Sequence, residues 1–420
     1  MTPKLLTTLK TYTPKLFAAD AFAGVTVAMV ALPLSLAIAI ASGADPGVGL
    51  VTAIIGGLLI SLLGGSRVQI GGPTGAFIVV VYGVIAHHGF DGLVLATLMA
   101  GLILLAAGAL RLGNLIQFIP EAVVNGFTMG IALIIATSQL KDLFGLQIDH
   151  LPADFLHKLP ALWEARATFN PAALGIGLST ILLIVLFRRL APRWPGLIVA
   201  VGLTSAVAAF AHLPVDTIAS RFGDLPSRLP VPGLPEITLA RLKELLPSAL
   251  VIAFLAGVES LLSAMVADRM IGGRHRPNAE LMAQGAANLG SGLFGGLPAT
   301  GAIARTATNV KAGGQTPVSG IVHALTLLVI MLSLSDLAGQ LVLPALAGLL
   351  LLTAWNMSEP DKWAEYARLP LEDRLLLLLT LVLTVVADLT IAIGVGVALG
   401  LAIRLRRRNV PPSDWTPPSR

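Results

Sequence analysis

Two residues could do chemistry in a chain that offers few others. Glu259 lies in the middle of the apolar stretch Leu245 to Val266, and Arg305 follows 46 residues later, after the Gly-rich break Gly295-Gly296-Leu297-Pro298-Ala299-Thr300-Gly301. An ionisable side chain at membrane depth is costly, so its first reading is functional. A break in an apolar segment means backbone that is buried in protein or lines a cavity. The pair points to a site with an anion-attracting arginine and a carboxylate able to exchange a proton. Ser260 adjoins Glu259, and Ser263 lies one turn on along the same face, so both are read as supporting the carboxylate. The plainer alternatives are a permanent Glu259–Arg305 strut that only fixes two helices, and an arginine that snorkels to the interface.

The break has a counterpart. Gly64-Gly65 followed by Pro73-Thr74-Gly75-Ala76-Phe77 recurs as Gly295-Gly296 followed by Pro298-Ala299-Thr300-Gly301-Ala302-Ile303, with Thr-Gly-Ala matching at an offset of 226. Each copy precedes an apolar segment too short to span a bilayer alone. Paired, Gly/Pro-interrupted short helices at matching places in two halves are a sequence pointer to a transporter site. Helix N-termini carry unpaired N–H groups and about half a positive charge each, so two that face one another seat an anion without a side chain. The expected seat is Thr74, Gly75, Ala76 and Phe77 opposite Thr300, Gly301, Ala302, Ile303, Ala304 and Arg305, with the threonine hydroxyls as further donors. Pro33 is expected to kink the first apolar segment and to bring Ser35 to the wall of the site.

These residues need a scaffold that spans a membrane. The chain of 420 residues is 55% hydrophobic and 12% charged, against about 25% charged in soluble domains, and its mean hydropathy is +0.84. Fourteen apolar segments are expected, near 20–41, 47–64, 73–86, 92–110, 119–138, 171–187, 195–212, 245–266, 279–294, 300–310, 317–334, 337–354, 372–387 and 389–403. The distribution of Arg and Lys then puts both termini in the cytoplasm of a multi-pass protein of the cell inner membrane. Seven segments per copy is an odd number, so the two copies insert with opposite topology. The chain has no cysteine, and its net charge of +5 reads as orientation information, with no basic face for nucleic acid. No cleavable signal precedes the first segment. Asp149, His150, Asp154 and His157 lack tight ligand spacing and read as a solvated outer loop, His87-His88 as an interface pair, and Asn278 and Glu280 as helix-start chemistry.

The run Ala31-Leu32-Pro33-Leu34-Ser35-Leu36-Ala37, then Gly72-Pro73-Thr74-Gly75-Ala76, then Gly257-Val258-Glu259-Ser260-Leu261-Leu262-Ser263 resembles the sulfate permease family of anion transporters. So do Pro277-Asn278-Ala279-Glu280-Leu281 and Gly301-Ala302-Ile303-Ala304-Arg305-Thr306-Ala307-Thr308-Asn309. The resemblance implies an all-α fold of 14 segments as a 7+7 inverted repeat with half-helices 3 and 10. It implies a core domain of helices 1–4 and 8–11 that moves against a gate domain of helices 5–7 and 12–14. On this chain, helices 1–5 fall in 1–138, gate helices 6–7 with the outer loops in 139–244, core helices 8–11 in 245–334, gate helices 12–14 in 335–405, and a cytoplasmic tail in 406–420. It implies an anion site between helices 3 and 10. In bicarbonate-transporting relatives an aspartate at the position of Glu259 takes part in a sodium site, with a threonine at the position of Ser263. The longer acid here favours a proton over sodium as the coupling ion. Family members usually continue into a STAS domain, which is absent from this sequence, and a homodimer is a possible assembly.

The resulting expectation is a secondary active carrier, not an enzyme, that brings in a small anion with a proton through Glu259. A four-carbon dicarboxylate such as fumarate is the first substrate, and sodium-coupled bicarbonate or proton-coupled sulfate transport is the alternative. A nucleobase permease of the same fold and an anion channel are the further readings. No metal or organic cofactor is expected, and the partners are the anion and the lipid bilayer.

Overall fold

Proline and a capping side chain mark where most of the long helices begin. Thr13 accepts a hydrogen bond from the Leu16 amide ahead of α1 (Pro14–Ala41), and Asp45 accepts one from Gly47 ahead of α2 (Pro46–Leu63). Asn170 does the same for α6 (Pro171–Leu190) and Thr238 for α8 (Leu239–Ile271). Proline at the first helical position costs nothing there, because its missing N–H would have no intrahelical partner. In this computed structural model the described residues are 2–114, 120–148, 151–191, 195–387 and 389–406. Ile119, Asp149, His150, Arg193, Asp388, Arg407, Arg408 and the remainder of the tail lie outside them.

The other helices that matter are α3 (Ile78–Ala109), α4 (Glu121–Leu143), α5 (Phe155–Glu164) and α7 (Gly196–Phe210). They are followed by α9 (Pro277–Leu293), α10 (Ile303–Lys311), α11 (Val318–Ser333), α12 (Leu343–Met357), α13 (Leu371–Val386) and α14 (Leu389–Arg406). Among the described residues, six helices are long and apolar enough to cross a membrane: α1, α2, the run Gly75–Ala109, α4, α6 and α8. The expected third and fourth segments are joined in α3, where Gly89 with φ +69° turns one helix into the next. The expected twelfth segment is broken instead: a short helix, Ser335–Gly339, precedes α12. Within α2 one turn, Thr52–Gly56, is π-helical.

Packing sorts the helices into two sets. α3 lies along α9 and α8, α1 along α11, and α2 along α9, while α4 lies along α12 and α13, α6 along α12, and α13 along α14. Small residues let backbones approach, as where Gly101 of α3 meets the Gly285 carbonyl of α9. Between the sets the contacts are thinner, mainly α1 with α7 and α12, α8 with α14, and α3 with α4.

The loop expected to be solvated is ordered in part. Asp154 caps α5 and accepts from the Leu156 amide at 3.3 Å and from His157 Nδ1 at 2.5 Å, which holds its carboxyl below the usual range. Lys158 on the same helix is only 3% exposed. The His87 and His88 rings lie 6.3 Å apart, and His88 Nδ1 is 3.4 Å from Glu244.

Candidate functional site

Two short strands hold the centre of the molecule. β1 (Gly71–Gly72) pairs antiparallel with β2 (Thr300–Gly301), Gly71 opposite Gly301 and Gly72 opposite Thr300. A turn of 3-10 helix, Gly75–Phe77, leads from β1 into α3, and Ala302 leads from β2 into α10. The pairing therefore sets the starts of α3 and α10 side by side. Ala302 spends its amide on the Ile70 carbonyl at 2.9 Å. The first amides of α10, from Ile303 and Ala304, have no acceptor within their own helix. Ala304 is exposed and Ile303 and Glu259 are partly exposed, so an accessible surface adjoins these amides.

The charged groups take places that the sequence does not predict. Glu259 accepts a hydrogen bond of 2.7 Å from the Thr74 hydroxyl. Arg305 is 1% exposed, and its Nη2 donates to the Pro73 carbonyl at 2.9 Å and to Ser35 Oγ at 3.2 Å. Its Nε and Nη1 have no hydrogen-bond partner among the described residues. Among the described residues no ion pair joins Glu259 to Arg305, so the strut alternative is not formed. Arg305 stands behind β1, against Gly72, and holds the Pro73 carbonyl.

Three expected roles need correction. The Thr300 hydroxyl donates to the Ala256 carbonyl at 2.9 Å, and Thr74 to Glu259, so both threonines spend their donors within the protein. Ser260 does not support Glu259: it receives Gln69 Nε2 at 3.0 Å and donates to Glu280 Oε1 at 3.0 Å. Ser263 donates to Thr306 Oγ1 at 3.1 Å. Neighbouring positions on a helix diverge by about 100°, which carries Ser260 away from the face of Glu259. Phe77 is 2% exposed and packs into the hydrophobic core, as Ser35 is buried beneath Arg305.

Asn278 and Glu280 do more than start a helix. Asn278 accepts from the Gly113 amide at 3.0 Å, and Glu280 Oε2 from the amides of Gly65 and Ser66 at 2.8 and 3.1 Å. Asn288 accepts from the Ala299 amide at 3.0 Å and returns a bond to its carbonyl at 2.8 Å, while Asn309 Nδ2 reaches the Val68 carbonyl at 2.8 Å. The Leu297 amide is taken at 2.7 Å by Oγ1 of Thr52, the first residue of the π-turn. Each irregular stretch that leads to the strands thus has its backbone satisfied by a side chain, as non-helical backbone at membrane depth requires. Gln69 and His323, buried here, escaped the sequence reading, and Asn288 and Asn309 stood in the resembling stretches without a role. For Asn288 and His323 the one signal was a polar type among small and apolar residues, whereas Gln69 and Asn309 have charged and hydroxyl neighbours that hide it. From the other helix set, Met357 and Ile135 close on the seat: a Cβ at Gly75 would lie 3.1 Å from Met357 Sδ and 3.7 Å from Ile135 Cδ1.

The description of the sulfate permease family matches residues 17–380 of this chain. The chain belongs to the sulfate permease family. Among its relatives, YvdB of Bacillus subtilis strain 168, provisionally named a sulfate transporter, is 43% identical over 88% of this chain and 70% of its own. The bicarbonate transporter BicA of a Picosynechococcus species is 33% identical over 79% of this chain and 60% of its own. The chain thus spans less than two thirds of the length of that second relative. The solved transmembrane domain of a cyanobacterial bicarbonate transporter BicA superposes with a TM-score of 0.81 at 30% identity, covering 91% of this chain and 99% of that one. Murine Solute Carrier 26 family member A9, in its inward-facing state, superposes with a TM-score of 0.87 over 96% of this chain and 71% of its own. At 19% identity that likeness speaks for the fold alone. The family member described here is accordingly an all-α, multi-pass membrane protein of an anion-transporter family, and not an enzyme.

Proposed function

We propose that this protein is a secondary active carrier for a small inorganic oxyanion, sulfate first, brought in with a proton that Glu259 carries. The observation behind it is the antiparallel pairing of β1 with β2, which sets the starts of α3 and α10 together beside Arg305. Free amides and a buried guanidinium favour an anion, and a partly exposed carboxylate hydrogen-bonded to Thr74 is placed to exchange a proton with it. The four-carbon dicarboxylate of the sequence reading is not retained, because the relatives reported above are named for sulfate and bicarbonate. Sodium-coupled bicarbonate uptake is the second reading, favoured by the resemblance to the bicarbonate transporter's membrane domain.

In this reading the helices form fourteen spanning segments in two inverted sets of seven, with α3 and α10 beginning at the middle of the bilayer. The set of α1, α2, α3, α8, α9, α10 and α11 carries the anion past the set of α4, α6, α7, α12, α13 and α14, as in carriers that rock one bundle against another. Both termini then face the cytoplasm, and α5 lies on the outer side. The test is uptake of labelled sulfate and bicarbonate into proteoliposomes, each under a proton gradient and then a sodium gradient, with unlabelled fumarate as competitor. Proton-driven accumulation of sulfate supports the proposal. Accumulation of bicarbonate that needs sodium and ignores pH selects the second reading, and uptake of neither anion overturns both.

A further inference from the structure

The thin contact between the two helix sets is bridged at one end by a buried lysine. Lys158 of α5 places its Nζ 2.9 Å from Ser138 Oγ on α4 and 5.5 Å from the centre of the Tyr82 ring on α3. Tyr82 in turn donates to the Leu151 carbonyl in the segment that leads to α5. Lys158 is 3% exposed, although it lies on a helix whose other face is exposed at Leu156, Leu159 and Trp163. α5 packs on α4 and α13, so it travels with their set, whereas Tyr82 sits on the helix that begins at the seat. Seven residues of helix separate Gly75 from Tyr82, about 10 Å. The ammonium therefore clasps the seam between the two sets roughly two turns from the seat, on the side away from the chain's N-terminus.

We infer that Lys158 is the gating residue of the seam between α3 and α4, holding it shut on the α5 side until the two helix sets move and an oxyanion from that side can reach the seat. This rests on the carrier reading above. The contact is of a kind that can open and close. A cation over an aromatic face is held by attraction to the ring and by one donated hydrogen bond, and neither needs a partner of opposite charge. When Tyr82 moves with the seat, the ring contact across the seam parts while the bond to Ser138, within one helix set, is kept, and the ammonium is left as a positive charge at the mouth through which an anion arrives. A merely structural lysine would stabilise the fold without changing which side of the membrane reaches the seam.

The absence of cysteine makes the test clean. Val79, between the seat and Tyr82 on α3 and partly buried, is replaced by cysteine and labelled with a membrane-impermeant maleimide from the α5 side of intact cells. Lys158→Met should raise the labelling rate about fivefold and raise the apparent KM for sulfate from that side, while Lys158→Arg, which can still stack and donate, should stay near the parent. Labelling unchanged in a monodisperse Lys158→Met protein overturns the gate. Faster labelling with an unaltered KM overturns it as well, since the seam is then not on the anion's route. Should Lys158→Met not yield a folded protein, Tyr82→Leu removes the contact across the seam and is read by the same criteria. If the parent takes up neither sulfate nor bicarbonate, the carrier reading fails, and the labelling comparison still decides whether Lys158 closes the seam.

Discussion

Arg305 is a buried cation whose charge no side-chain carboxylate meets among the described residues. A group of that kind is costly at membrane depth unless something in the working cycle compensates it. Arg305→Ala is therefore expected to cut anion uptake at least about tenfold while the thermal midpoint falls by only a few degrees, since the loss is of field and of two hydrogen bonds, to Pro73 and Ser35. Uptake and midpoint measured on the same preparation check this, and uptake at the parent's rate would take Arg305 out of the mechanism. Glu259→Gln mimics the protonated acid and can still accept from Thr74. It should retain exchange of labelled for unlabelled substrate and lose accumulation driven by a proton gradient. Glu259 and Arg305 were legible in the sequence because charge inside an apolar run is rare. Their partners were not. Which way Ser260 or Thr300 faces depends on where the neighbouring helices lie, and no local pattern carries that. Glu280 read as helix-start chemistry for the same reason: its amide partners, at Gly65 and Ser66, lie more than 200 residues away in sequence.

At the scale of the element, the Thr-Gly-Ala repeat foretold two interrupted helices, and the structure adds that the interruptions pair as strands. That pairing depends on backbones meeting with nothing between them. Gly72 has φ +150°, and a Cβ there would lie 2.3 Å from Arg305 Nη1 and 3.5 Å from the Ala53 Cα. Gly72→Ala combines strain with displacement of the guanidinium, so uptake should be lost and the thermal midpoint lowered by several degrees. Gly83 on α3 is the control, because a Cβ there meets nothing within 4 Å. Gly83→Ala should leave uptake unchanged. Equal damage from the two substitutions would mean that small residues serve only general packing here. The boundaries that the sequence reading blurred have physical causes. Gly89 turns one helix into the next inside His87–Asp91, the gap expected between the third and fourth segments, and the break before α12 comes at Leu334–Leu341, where Ser335, Asp336 and Gln340 interrupt the apolar run.

At the scale of the whole molecule, the question is how much charge moves per cycle. Among the described residues, Glu259 is the carboxylate hydrogen-bonded to Thr74 at the proposed seat, while Glu280 has both oxygens occupied by amides, Ser260 and Gln284. One acid carries one proton. A divalent oxyanion entering with one proton takes a net charge of −1 with it, so an inside-negative potential must oppose uptake. A pH difference of one unit, alkaline inside, can sustain about tenfold accumulation, or about 1.4 kcal/mol. Moving one charge through 100 mV is worth about 2.3 kcal/mol, so an inside-negative potential of roughly 60 mV should cancel that accumulation. Bicarbonate entering with one sodium ion moves no net charge and should ignore the potential altogether. Proteoliposomes with the potential set by a potassium gradient and valinomycin, at fixed pH difference, separate these cases. Sulfate accumulation that falls towards unity near 60 mV fits a single proton on Glu259. Accumulation that stays constant requires a second proton and therefore a second acid, and accumulation that rises with inside-negative potential requires at least three cations per anion, which the single carboxylate at this seat cannot supply.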